Sequence, residues 1–221
     1  MENHFTQIDL QTWPQAQEFY YYTQMASTSY TVNVLLDVTN TRKALKAAGY
    51  KFFPAYLWLM TRAISQQEQF RVGVQDGTLG VWGHLTPAYP QFHSDDHTTS
   101  LLYTEFEVNF SAFHAAYLAD TKQYGASHGI LSAKGVPPAS SYIISCIPWF
   151  SFESFSLHNH GIKDYYFPSF EAGAFREENG RIWMPLSVTV HHATVDGWHL
   201  KTLFEDVQSA LNEPENWMGP C

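Results

Sequence analysis

Residues Met184–His199 read MPLSVTVHHATVDGWH. Leu186, Val188 and Val190 alternate with Ser187 and Thr189, the period of two of a strand buried on one face. The alternation stops at His191 and His192. A short link follows, then Asp196-Gly197, a turn signal, then an apolar run from Trp198 to Leu211 that reads as a helix. The stretch predicts strand, turn and helix, with a histidine just past the strand end and an aspartate four residues on. In sheet proteins such positions carry chemistry more often than packing.

Working outward, the 221 residues are enough for one substantial core, and the 45% hydrophobic content supplies it. The 16% aromatic content points to aromatic-lined contacts or a pocket. A formal net charge of −9 argues against nucleic acid or an anionic membrane as main partners. Two cysteines, Cys146 and the terminal Cys221, imply no disulfide framework, so a reducing cytoplasm is expected. Cys146, in the run IISCIPW, reads as a buried small hydrophobe. The opening MENHFTQIDL lacks the basic and apolar regions of a signal peptide, and runs such as Ala55–Met60 are too short to span a bilayer.

Residues 1–12 read as an edge strand and Trp13–Gln24 as a short helix with Pro14 in its first turn. Tyr30–Val38 alternates like a strand. Thr41–Ala48 reads as a helix capped by Thr39 or Asn40 and stopped by Gly49, and Pro54 opens a buried helix over Ala55–Gln67. Phe70–Gln75 and Thr78–Trp82 flank Asp76-Gly77, the strongest hairpin signal in the chain. Tyr89–His93, Ser100–Phe106 and Tyr142–Ile147 read as strands, and Glu107–Tyr124 has helical spacing. Phe150–Ser169 is irregular and aromatic. Phe170–Phe175 and Arg181–Val190 around Asn179-Gly180 read as a second hairpin. Strands and helices are mixed around one core, an α/β chain of the α+β type, with residues 1–221 as a single domain.

His191, His192, Asp196 and His199 form the leading cluster. Imidazole titrates near neutrality and suits a general base that takes a proton from an attacking hydroxyl or thiol. The bland reading is a structural histidine pair. A zinc site is the rival, but a turn glycine follows and neither a Cys cluster nor HExxH is present, so no metal is expected. Ser145 lies between apolar neighbours, outside any nucleophile elbow, and reads as a satisfied core serine or an oxyanion donor in a cavity. His93, His158 and His160 read as surface or loop histidines, and Asp95-Asp96-His97 as a solvated loop. The run Tyr20–Tyr22 presents at least one ring outward.

HHATVDG resembles the HHxxxDG signature of the chloramphenicol acetyltransferase family and its wider group of coenzyme A-dependent acyltransferases. YKFFP at Tyr50–Pro54, the VGVQDGTLGVW hairpin, Phe92-His93, KGVPP and SCIPWFSFESF follow in the same order and spacing, so the similarity runs from Trp13 to Leu211. The resemblance implies a two-layer acyltransferase fold, largely antiparallel, with helices packed on a mixed sheet. It implies a homotrimer with the active site between subunits and acetyl-CoA as acyl donor. His192 is then the base, Ser145 the oxyanion donor, Asp196 a structural residue held by an ion pair, and His191 a packed neighbour. Tyr22 and Tyr30 keep aromatic rings expected at the acceptor pocket.

The departures are specific. Gln15 stands where the family has the Arg that pairs with the motif Asp. Glu171 stands where a Thr helps stabilise the oxyanion, and Ala174 replaces a Lys near the coenzyme A channel. Ala26, Thr99 and Ser132 replace bulky apolar pocket residues. The expected activity is O-acetylation of chloramphenicol. The alternatives are the same chemistry on another small alcohol or amine, or a catalytically impaired member that keeps the trimeric fold.

Overall fold

The computed structural model describes residues 3–159 and 163–219. His160 and Cys221 lie outside them. Strand β1 (Phe5–Gln7) precedes α1 (Ala16–Tyr20), which runs on as a wider turn over Tyr21–Met25. Then come β2 (Ser29–Asp37), α2 (Thr39–Ala47) and α3 (Phe52–Ile64). Strands β3 (Val72–Gln75), β4 (Thr78–Trp82), β5 (Thr86–Phe92) and β6 (Thr99–Tyr103) follow. Helix α4 (Phe110–Tyr124) leads to β7 (Ser141–Ile147), β8 (Ser169–Gly173), β9 (Arg176–Glu178) and β10 (Arg181–His191). Helices α5 (Gly197–Asn212) and α6 (Glu215–Met218) end the order.

Local chemistry explains most of these bounds. Asp76 and Gly77 have φ of 51° and 77°, and Asn179 and Gly180 have 52° and 75°. Left-handed backbone at both central residues matches the twist of the flanking strands. Pro54 sits in the first turn of α3, where a missing N–H costs no hydrogen bond. Helix α2 is not capped by Thr39 or Asn40. It begins at Thr39, whose N–H donates to Asp37 Oδ1 at 3.0 Å. Helix α6 was not expected from the pattern. It is held by Trp217, which stacks on Trp58 with ring centroids 5.4 Å apart.

The main sheet has the order β2-β10-β8-β7-β5-β6, with β9 also paired to β10, and β1-β4-β3 form a separate small sheet. The pairs β5–β7 and β7–β8 are parallel and the rest antiparallel. Tyr142, Ile144, Phe170, Ala172, Leu186 and Val188 point to one face and share the core with the α3 and α5 side chains. Alternation puts Ser145, Glu171 and Ser187 on the other face.

Among the described residues no helix lies between β7 and β8. The crossover is irregular, and it lies across the polar row. Phe155 N donates to Asn33 Oδ1 at 3.0 Å, and Ser187 Oγ donates to the Phe155 carbonyl at 2.8 Å. Gly173 lets it approach, because a Cβ there would stand 2.9 Å from the Phe152 ring. Among the described residues no helix is long and apolar enough to cross a membrane.

Candidate active site

Strand β10 delivers the histidine pair. Its ladder with β2 ends at His191 opposite Ser29, and His192 N then donates to the Thr28 carbonyl at 2.9 Å. The turn is closed by Thr194 N and Val195 N, which both donate to the His191 carbonyl. His191 Nδ1 accepts from Ala193 N at 3.1 Å, and its ring meets Tyr166 edge-on at 5.1 Å. Burial, and then the neighbouring His192, hold the His191 imidazole below its usual pKa. The His191 ring is thus packed, with one nitrogen engaged by the turn.

His192 is placed differently. Tyr22 stacks on it with centroids 4.2 Å apart and planes 6° from parallel, and Tyr30 leans in at 5.0 Å. His192 Nδ1 is buried without a hydrogen-bond partner among the described residues. The Tyr30 hydroxyl donates to the Val195 carbonyl at 3.3 Å. Burial, Asp196 and Tyr22 push its pKa up to about 12, so it remains a neutral donor. Ala26 belongs to the same turn, since Thr28 Oγ1 donates to its carbonyl at 2.6 Å.

Asp196 does not need the expected arginine. It is the N-cap of α5, accepting from Trp198 N at 2.8 Å and His199 N at 3.2 Å. His199 Nδ1 accepts from Asp196 N at 3.1 Å and closes a reciprocal capping box. The same nitrogen lies 3.0 Å from Asp196 Oδ1, a pairing that a protonated ring makes instead. The Asp196 side chain is 49% exposed, so water screens what the cap does not satisfy. Gln15 supports the turn from behind, its Nε2 donating to the Thr194 carbonyl at 3.5 Å.

Ser145 lies elsewhere. It pairs with Glu171 on β8, and Glu171 pairs with Ser187 on β10. His192 is five residues beyond Ser187. With a rise of about 3.3 Å per residue and strands about 4.8 Å apart, Ser145 and His192 lie on the order of 19 Å apart in one chain. One reacting carbon cannot touch both. Thr99, opposite Phe92 on β6, lies still farther from His192, beyond Ser145 toward the opposite sheet edge. Ser132 is near it, through the bridge between Leu101 and Leu131, and its Oγ accepts from Lys134 N at 3.3 Å. Tyr22, Ala26, Tyr30, His192 and Asp196 therefore lie together at one end of β10 and β2. Ser145, Glu171, Thr99 and Ser132 share the other side of the sheet.

Glu171 is 1% exposed, and neither carboxylate oxygen accepts a hydrogen bond of normal geometry among the described residues. Burial pushes its pKa up to about 7, with the Ser169 hydroxyl pulling the other way. Cys146, half-buried beside Ser145, has its thiol pushed up to about 11 by burial. Ala174 N donates to the Phe150 carbonyl at 3.0 Å, so that position anchors the crossover.

A cleft of about 700 Å³ opens beside His191 between Ser29, Lys163, Tyr165 and Thr189, and neither His192 nor Ser145 lines it. His93 is buried, contrary to its reading as a surface histidine. With Asp95 and His128 it brings ligand-type atoms within 4.8 Å of one another beside Thr99. The contributions of Thr28, Tyr166 and Gln15 to the turn carry no local signal, because each meets it from more than 20 residues away along the chain.

A sequence profile of chloramphenicol acetyltransferases matches residues 3–208. A chloramphenicol acetyltransferase of Clostridium perfringens is 31% identical over 216 residues, covering 97% of this chain and 98% of that one. Chloramphenicol acetyltransferase 2 of Escherichia coli is 36% identical over 205 residues, 92% of this chain and 95% of its own. A solved chloramphenicol acetyltransferase superposes with a TM-score of 0.85 at 20% identity, covering 94% of this chain and 100% of its own. The dihydrolipoamide acetyltransferase of Azotobacter vinelandii shares the fold at a TM-score of 0.64 and 14% identity, over 92% of this chain and 87% of its own. With the HHATVDG turn built as described and the match running through the whole fold, this chain belongs to the chloramphenicol acetyltransferase family.

Proposed function

We propose that the protein transfers the acetyl group of acetyl-CoA to a hydroxyl of chloramphenicol. The observation that carries this reading is the turn after β10, which holds the His192 ring between Tyr22 and Tyr30 in a chain of this family. His192 takes the proton of the acceptor hydroxyl, and the oxygen attacks the thioester carbon. The tetrahedral oxyanion accepts a hydrogen bond from Ser145. Collapse expels the coenzyme A thiolate, which takes the proton back from the imidazolium. Asp196 acts on this chemistry through the cap that fixes the turn.

The reaction needs two copies of the chain, because His192 and Ser145 sit at separate parts of one sheet. A homotrimer in which one subunit supplies His192 and its neighbour Ser145, with Thr99 and Ser132 in the acceptor wall, satisfies this. The apolar surface near Thr99 supports it. Trp149 and Ile130 are 64% and 75% exposed, and Trp149 meets Phe92 edge-on at 4.9 Å. Such patches mark interaction sites. We place the protein in the cytoplasm, as a single domain over residues 1–221, and assign no step to a metal.

The test is coenzyme A thiol release by the purified protein with acetyl-CoA and chloramphenicol, with His192→Ala as the blank. Turnover that vanishes in the variant supports the reading. Turnover that survives in the variant overturns the mechanism. Turnover only with another alcohol or amine from an acceptor panel moves the substrate and keeps the chemistry. The small or polar side chains at Ala26 and Thr99 make that panel worth running.

A further inference from the structure

Glu171 has no part in the mechanism above, yet it is the immediate neighbour of Ser145. The two residues pair across the parallel strands β7 and β8, and both project from the face opposite the helices. Neighbouring strands stand about 4.8 Å apart, within the reach of a glutamate side chain toward a serine hydroxyl. Glu171 is 1% exposed, and the Ser169 hydroxyl, short of normal hydrogen-bond geometry, is the donor that acts on its carboxyl.

We propose that Glu171 gates Ser145: the Ser145 hydroxyl serves the oxyanion only while Glu171 carries a proton. The inference rests on the oxyanion role given to Ser145 above. Glu171 is a positioning residue, acting through the serine. A carboxylate is a much stronger acceptor than a carboxyl group, and charge-assisted hydrogen bonds are roughly twice as strong as neutral ones. An ionised Glu171 turns the Ser145 O–H toward itself and withdraws the donor from the thioester oxygen. It also adds a like charge beside the developing oxyanion. A neutral Glu171 does neither.

The surroundings offer an ionised Glu171 no cation among the described residues, and the one hydroxyl that favours its charge is that of Ser169. Tyr165, from the crossover, lies near it, its own hydroxyl engaged with the Ile143 backbone, and Tyr56, on the helix side of the sheet, acts on it only through charge at longer range. Ser187 on β10 spends its proton on the Phe155 carbonyl. Cys146 on β7 and Ser169 on β8 complete the surroundings. Burial and the Ser169 hydroxyl alone account for the shift of Glu171, with no cation acting on it among the described residues. The neutral form is thus favoured up to the neutral range, which puts the gate within reach of ordinary pH.

Two measurements test the gate. In the thiol-release assay, wild-type turnover is expected to fall about tenfold per pH unit on the alkaline side, as for loss of one proton. Glu171→Gln and Glu171→Thr are expected to lose that fall. An alkaline limb shared by wild type and both variants overturns the proposal. The second reading needs no turnover. The Glu171 carboxyl is followed by NMR with carboxyl-labelled glutamate, assigned by its loss in Glu171→Gln. Because Ser145 bonds the ionised form, Ser145→Ala is expected to raise the Glu171 midpoint. A midpoint unmoved by Ser145→Ala overturns the gate, whatever the acceptor. A wild type silent with every acceptor sinks the functional reading and leaves the NMR test standing.

Discussion

Tyr22 lies flat against His192, with ring centroids 4.2 Å apart and planes 6° from parallel. The stack fixes the imidazole plane from one side while Tyr30 closes another. An aromatic pair contributes about 0.5–1.5 kcal/mol beyond its area. Tyr22→Leu is expected to lower kcat/KM by up to about tenfold, because that energy now holds the base in place. Tyr22→Phe keeps the ring and should behave as wild type. Equal losses in both variants would move the role of Tyr22 from the ring to its hydroxyl.

Ser145→Ala removes the proposed oxyanion donor. The expected cost is on the order of 10²-fold in kcat, the usual scale for one such group. The melting temperature should barely change, since Ser145 is half-buried and Ala fits the strand. A loss below about threefold, against that scale, would make Ser145 a packing residue.

Asp196 separates cap from charge. Asp196→Ala is expected to cost about 1 kcal/mol of stability, the usual value for an N-cap. In a chain of this length that lowers Tm by roughly 2–4 °C. Asp196→Asn caps equally well and should melt with the wild type. An Asn variant as unstable as the Ala variant would show that the negative charge is what the turn requires.

Glu171 links stability to pH with a definite sign. Its pKa is about 7 when folded, against 4.5 for an ordinary glutamate. In the range between, the folded chain keeps a proton that the unfolded chain releases. Stability therefore falls as pH rises, and the loss is complete above the folded value. Its full size is on the order of 3 kcal/mol. Chemical denaturation of wild type and Glu171→Gln across that range is the check. The Gln variant should be the more stable above neutrality, and parallel curves would show that Glu171 is already compensated.

How far the sequence could be read depended on the range of the interaction. The Asp76-Gly77 hairpin and the strand at Leu186–Val190 are local patterns, and both folded as their residues require. The Asp196 cap was also local, since Asp-x-x-His before an apolar run is a helix start. It was masked by the expectation of an arginine. Glu171 beside Ser145 was not legible. The two residues are joined by a parallel pair whose crossover carries no helix among its described residues. Helix α6 escaped because one turn held by Trp217 has no periodicity to read.

If the proposed centre draws His192 from one subunit and Ser145 from its neighbour in a head-to-tail trimer, each damaged subunit is repairable by a differently damaged one. A subunit with His192→Ala still carries its serine, and one with Ser145→Ala still carries its base. Each variant is silent or nearly so alone. Unfolded together in equal amounts and refolded, they should reconstitute about a quarter of the centres, because a head-to-tail ring draws one half from each neighbour. A mixture no more active than its components would mean that both halves serve a centre within one chain.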